Sequence, residues 1–472
     1  MFGNQRIRHF VFFPAVLLSL LASSPGLSRA QTQSPFSGSV PTGQATGTVL
    51  KLSLHDAFDR ALKYNLGAIE SNQSTRAAHA VRLRSLNALL PDLTARINAS
   101  LEQINFKAQG LNISIPGVPI PKIVGPFGVT DARAYLSQEI FDWSDIQSWK
   151  SAAQSETASR YTYQSDRDVV VFTAGGAYLL VLSDLATVDS TRAQVTTGQT
   201  LYQQDADRNK HGLVASIDVL RAQVELQTEQ QRLIAAENQL AIDKLSLARV
   251  IGLPNGQEFE LTDSVPYAPL DGITLDQALR EAYSTRPDYL SAKAQVQAAE
   301  LALRASAAEN YPSISTATDY GDIGSPNFTS SHGTVDFAAA LNIPIFQGSR
   351  VRADKLQADS ALQQRKAELA DLGGKIDDQV RTALYNLRSS SDLVAVARSN
   401  IDLANQTLTQ SRDRFAAGVA DNLEVVQAQE SVADANQSYI ASLYSFNLAK
   451  ISLSQALGVA QQSALHYLLG GN

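Results

Sequence analysis

The chain says nearly the same thing twice. Leu54 to Pro91 spans 37 positions, and so does Leu275 to Pro312. Inside that frame Ala57 matches Ala278, Ala61 matches Ala282 and Leu93 matches Ile314, all at an offset of 221. Further on, Gly212-Leu213 matches Gly418-Val419, Ala222-Gln223 matches Ala428-Gln429, and Ile251-Gly252-Leu253 matches Leu457-Gly458-Val459, at an offset of 206. A duplicated unit of roughly 200 residues is too long for a short-period solenoid. It dictates two similar halves in pseudo-symmetry, with matched residues in matched roles.

The pattern within each half changes period. Leu54, Ala57, Phe58, Ala61 and Leu62 share a helical face, and a second helical run, Ala77–Leu90, stops at Pro91. Leu93 to Glu102 then alternates: Leu93, Ala95, Ile97, Ala99 and Leu101 are apolar, and the residues between them are polar. That is a strand with one wet and one apolar face. A return strand is predicted over about 129–141, and the copy of this hairpin over about 314–346. Two long proline-free helical tracts follow, Asp145–Asn209 and Ser349–Ala416. Each is on the order of 100 Å if continuous. After Gly212 and Gly418 new helices begin, with large residues every seventh position. These are Val219, Leu226, Leu233, Leu240 and Leu247, copied as Val425, Val432, Tyr439, Phe446 and Leu453. Such spacing favours long coiled-coil packing. The resulting division is a first repeat over 51–254, a linker over 255–272, a second repeat over 273–460 and a tail over 461–472.

The first 30 residues look like an export signal: Arg6 and Arg8, an apolar core over Phe10–Leu21, and a small-x-small site at Ser28-Arg29-Ala30. Residues 31–50, rich in Ser, Gly, Thr, Gln and Pro, are expected to be a flexible lead-in. There are no cysteines, which excludes disulfides, thiolate metal sites and a lipidated N-terminal Cys. Removing the signal lowers the basic count from 39 to 36 against 46 acids, a balance of −10. An acidic chain without basic clusters is a poor nucleic-acid binder.

Four amphipathic strands cannot close a barrel, because single-chain outer-membrane barrels begin at about eight. Left open, the sheet would expose its edges. Copies of the chain solve this: two supply eight strands and three supply twelve. The expected fold is therefore mainly α with a transmembrane β portion, the long helices forming a coiled-coil tunnel.

At this point the residues carry a resemblance. "LSLHDAFDRALKYNL", "LLPDL", "EIFDW" with its copy "IPIFQGSR", "GLVASIDVLRAQVEL", "AGVADNLEVVQAQ", and "ARVIGLP" with its copy "SQALGVA" occur in order and duplicated. The chain resembles the TolC-like outer-membrane efflux proteins over nearly all of its mature length. The resemblance implies a homotrimer with a shared twelve-stranded β-barrel in outer-membrane lipid and a helical tunnel in the periplasm. It implies docking to an inner-membrane transporter through a periplasmic adaptor (membrane fusion) protein. The alternative is a periplasmic coiled-coil scaffold or adaptor, against which the apolar-faced strands argue.

The resemblance also places a constriction on the helix after Gly418. Glu424 and Gln427 fall where the family's best-known member has two aspartates, and Asp421 lies three residues before Glu424. Three copies of Glu424 would make an anionic ring; the other reading is a solvated helix residue. The family's closed state is held by a tyrosine and an arginine near the same turn. Here those positions are Phe415 and Ala420, and Asp218 matches the partner acid. Phe415 has no hydroxyl, so any lock must use other contacts. Gly212 and Gly418 are either hinges or helix terminators.

Residues 111–127 form a Pro/Gly-rich loop longer than its counterpart, either capping the outer mouth or without a role. Trp143 and Trp149 suit an interfacial aromatic belt or junction packing. No enzyme signature appears: the histidines (His9, His55, His79, His211, His332, His466) lack ligand spacing, and Gly373-Gly374 is not followed by a P-loop Lys-Ser/Thr. No cofactor is expected.

Overall fold

The structure, a computed structural model, describes residues 34–110, 121–264, 267–270, 272–326 and 330–469. The expected signal over 1–30 lies outside these residues, as does the 111–120 part of the long loop.

The duplication reaches down to helix caps. Helix α1 (Leu54–Tyr64) opens with a capping box between Ser53 and Asp56, and α5 (Leu275–Thr285) with one between Thr274 and Gln277. Each box satisfies two otherwise unpaired donors. Next come α2 (Leu66–Asn87) and α6 (Pro287–Ala308). The break between α1 and α2 falls at the buried Asn65. Its side chain accepts from Gly67 N and donates to Phe36 O at 2.7 Å. Proline then ends each run, and the strands begin at Asp92 and Ser313.

Four strands form one antiparallel sheet in the order β2-β3-β5-β6: β2 (Asp92–Asn105), β3 (Ile123–Phe141), β5 (Ser313–Gly324) and β6 (Ser331–Asn342). The register puts Leu93 opposite Leu136, Leu136 opposite Thr318, and Thr318 opposite Phe337. Directly opposed residues share a face, so Leu93, Ile97, Leu101, Val335, Phe337 and Leu341 lie on one side, all exposed. Arg96, Arg133 and Tyr135 lie on the other, where Arg133 bonds Asp131 and lies 3.1 Å from Asp319. Strand β6 ends at Asn342, four residues before the expected Phe346, because Pro344 has no N–H for the ladder.

From β3 runs α3 (Trp143–Lys210, 68 residues), then α4 (Ser216–Val250). From β6 runs α7 (Arg350–Ala416, 67 residues), then α8 (Asn422–Ala456). All ten seventh-position residues are buried or half-buried. Near the sheet the helices pack in the order α2-α3-α6-α7, and toward the far turns in the order α4-α3-α8-α7. The core is spread along these seams. One cluster gathers Leu54, Phe58, Val170, Tyr178, Leu247 and Ile451, and its pseudo-symmetric partner gathers Ala278, Ala282, Ile376, Val380, Phe446 and Leu453. α3 is apolar enough in part to cross a membrane, but its Val170, Val171, Ala174, Tyr178 and Val181 are buried in the first cluster.

Three segments carry more structure than their composition implies. The described lead-in is fastened rather than flexible: Phe36 packs on the core, Val40 N donates to Tyr64 O at 2.9 Å, and Leu66 N to Gly38 O at 3.0 Å. β1 (Leu50–Leu52) pairs in parallel with β4 (Phe259–Leu261), a strand inside the expected linker. The tail forms α9 (Ala460–Leu469), which buries Ala464 and Leu468. Each depends on partners outside its own segment, where local composition carries no signal. At the sheet–helix junction, Trp143 stands 6.4 Å from Phe141, and the half-buried Trp149 lies under Arg82.

Candidate functional site

The candidate residues gather at the turns that end α3 and α7, on the order of 100 Å of helix from the sheet. Both turns have the same construction. Leu213 N donates to Arg208 O at 2.9 Å and Gly212 N to Asn209 O at 2.9 Å. Val419 N donates to Arg414 O at 3.0 Å and Gly418 N to Phe415 O at 3.1 Å. This paired closure needs a left-handed residue, and φ is +73° at Gly212 and +76° at Gly418. Helix termination therefore accounts for both glycines. Basic Arg208, Lys210 and Arg414 sit in the closing turns, and acidic Asp218 and Glu424 in the opening turns, as the helix dipoles favour.

Asp421, Glu424 and Gln427 follow one another along the start of α8. Asp421 is its N-cap, with the carboxyl accepting from Glu424 N at 3.2 Å. Glu424 Oε1 lies 3.4 Å from Arg414 Nε and accepts from Ser411 Oγ at 3.3 Å, tying the two arms of its own hairpin. Gln427 is exposed. Phe415 packs on a small cluster of Leu201, Ala222, Leu408 and Val425, with the Arg208 guanidinium 5.0 Å from its ring. Asp218 faces Arg221 of its own helix at 3.2 Å.

The hairpins are also joined by a buried polar contact that the sequence reading missed. Asp205 of α3 and Asn422 of α8 are both fully buried, and Asn422 Nδ2 donates to Asp205 Oδ2. The same amide donates to Asp218 O at 3.3 Å. Burial pushes the Asp205 carboxyl up to about 6; the nearby Arg208 and the Asn422 hydrogen bond oppose this, and Asp218 adds to it. One signal was present: Asp205 follows Gly198 and Leu201 at helical spacing, so it is an acid at an inward position. Further along α4, Glu225 and Glu229 line a cavity of about 460 Å³ between the hairpins, and burial raises both carboxyls. No cluster of three or more His, Asp or Glu able to hold a metal occurs among the described residues.

The comparisons with known proteins agree with this architecture. The sequence model described as outer membrane efflux protein matches residues 128–253 and 278–459. The chain is 23% identical to the outer membrane protein TolC of Escherichia coli (strain K12) over 355 residues, 71% of each protein. It is 22% identical to the pyoverdine export outer membrane protein OpmQ of Pseudomonas putida over 482 residues, 97% of this chain and 98% of that one. Its fold matches the Campylobacter jejuni CmeC outer membrane channel with a TM-score of 0.73 at 14% identity, covering 86% of both chains. These relatives are named as outer membrane, export or channel proteins. The protein belongs to the outer membrane efflux protein family and is a component of the outer membrane.

Proposed function

We propose that three copies of the chain close into one duct, a shared twelve-stranded barrel in outer-membrane lipid continued by a helical tunnel through the periplasm. One observation carries this reading: the sheet and the helix layer are open rows with matching free ends. Among the described residues the sheet ends in β2 and β6, each paired on one side, and the helix layers end in α2 or α4 on one side and α7 on the other. The end helices expose apolar stripes, Ile217, Leu220, Val224, Ile234 and Leu245 on α4, and Tyr385, Leu393, Val396 and Leu403 on α7. A single rotation between copies satisfies both layers, pairing β2 with β6 and α4 with α7. Each leucine or isoleucine so buried stabilises the assembly by about 1.5–3 kcal/mol. Two copies would make a barrel just wide enough to be filled by side chains. The charged inner face of Arg96, Asp131, Arg133 and Asp319 fits a wider, wet lumen.

Such a duct is passive, so export draws its energy from an inner-membrane transporter joined through a periplasmic adaptor. The family match, and a relative named for pyoverdine export, support this. The coiled-coil scaffold reading is not favoured, since a scaffold needs no sheet with an exposed apolar face. Particle mass and negative-stain imaging of the detergent-purified protein test the assembly. Trimers with threefold end views are expected, and introducing both Val396→Asp and Leu403→Asp should leave mainly monomers. Wild-type monomers, or a double variant still fully trimeric, would remove this interface.

Glu424, Asp421 and Gln427 face the narrow end in this reading, near the turns of Gly212, Asp218, Phe415 and Gly418. Glu424→Ala is expected to lower cation preference in planar bilayers about severalfold. Unchanged selectivity would take Glu424 out of the constriction.

A further inference from the structure

The polar bond between the hairpins leaves two acceptor oxygens unpaired. Asn422 spends both amide hydrogens, one on Asp205 and one on the Asp218 main chain. Its Oδ1 and the Oδ1 of Asp205 are both buried and have no hydrogen-bond partner among the described residues. Two acceptors left unpaired away from water are costly, and an ionised carboxylate among them more so. They are the remaining oxygens of one bonded amide–carboxyl pair. A proton on Asp205 Oδ1 would turn that oxygen into a donor, with Asn422 Oδ1 as its acceptor, and satisfy both.

We propose that Asp205 and Asn422 form a proton-locked clasp that holds the α3/α4 hairpin to the α7/α8 hairpin at the periplasmic end of the duct. Acid fastens the clasp and loss of the proton loosens it. The proposal rests on the duct reading only for its consequence in transport. The charged groups around the pair leave the proton its role. Arg208 of α3 lies 5.0 Å from the Phe415 ring, Asp218 of α4 is engaged by Arg221, and at the start of α8 Glu424 is engaged by Arg414 of α7. The sign follows from burial: the neutral carboxyl is favoured in the closed form, so its support is complete at low pH and is lost as pH rises through the pKa of the closed form. The matched positions of the duplication, Ser411 and Ser216, carry no acid, so the device occurs once per chain.

The test compares the full-length trimer with Asp205→Asn and Asn422→Leu at pH 5 and pH 8. In Asp205→Asn a permanent amide donor stands where the protonated acid would. Hydrogen exchange in the first two turns of α8, corrected for the intrinsic pH dependence, reports the clasp directly. Protection in the wild type should fall about tenfold from pH 5 to pH 8. Asp205→Asn should hold the pH 5 level at both values, and Asn422→Leu should be weakly protected at both. Flat protection in the wild type, or an Asp205→Asn profile that follows the wild-type slope, overturns the proposal. Single-channel recording supplies the consequence: open probability should rise with pH in the wild type and stay low in Asp205→Asn. Absence of current in every form would overturn the duct, while exchange would still decide the clasp.

Discussion

Replacing Gly458 with alanine is expected to destabilise the protein by about 3 kcal/mol or more, while the same change at Gly418 costs only about 1 kcal/mol. Both residues have positive φ, +73° and +76°, so both replacements pay for a left-handed alanine. They differ in what a new Cβ would meet. At Gly418 no described residue beyond its chain neighbours lies within 4 Å of that position. At Gly458 the Cβ would stand 2.6 Å from Arg286 Cα and 3.0 Å from Arg286 N, main-chain atoms that cannot swing aside. Arg286 is itself held: its guanidinium pairs with Asp288 at 2.6 Å and donates to Gln379 at 2.8 Å and to Ala456 O at 3.1 Å. The overlap therefore spreads into a buried network joining α6, α7 and α8. Thermal melts of the two variants in detergent measure the contrast. Equal losses would mean that the Gly458 turn relaxes freely and that the packing argument is wrong.

Replacing Lys450 with methionine should stabilise the protein, by about 3 kcal/mol at pH 7. Lys450 is fully buried, its Nζ has no hydrogen-bond partner among the described residues, and the Phe446 ring lies 4.8 Å away. Burial pushes its pKa down to about 8. A lysine depressed in the folded state costs stability while it stays charged there, so that cost is fullest below about pH 8. The cost fades as pH rises toward the unfolded lysine value. Methionine keeps the length and removes the charge. The gap between variant and wild-type melting temperatures should accordingly narrow between pH 7 and pH 10. A variant that melts lower than wild type at pH 7 would show that the ammonium has a partner in the assembled protein.

The two repeats, both hairpins and all four long helices were legible because each rests on a short-range signal. Alternation over Leu93–Leu101 gives the strand, the proline-free tract Asp145–Asn209 gives the helix, and every seventh residue from Val219 gives the seam. The resemblance led to the turns at Gly212 and Gly418, but not to what the candidate side chains do there. Asp421 is a cap and Glu424 ties its own hairpin. Asp205 and Asn422 went unnoticed, because a buried acid and its amide partner 217 residues away leave no local pattern.

Sequence alone determined what the repeated segments become, though not the lead-in, the linker strand or the tail helix. Period, proline and glycine act within a few residues, so helix, strand and turn are written locally, and duplication of that local text fixes a pseudo-symmetric chain. The tertiary structure decided which segments are fastened to which. β1 finds β4 across about 200 residues, α9 closes over the first core, and a Cβ at Gly458, unlike one at Gly418, would meet main-chain atoms. Those outcomes depend on burial and on the pairing of polar groups away from water, and burial exists only after distant parts of the chain have come together.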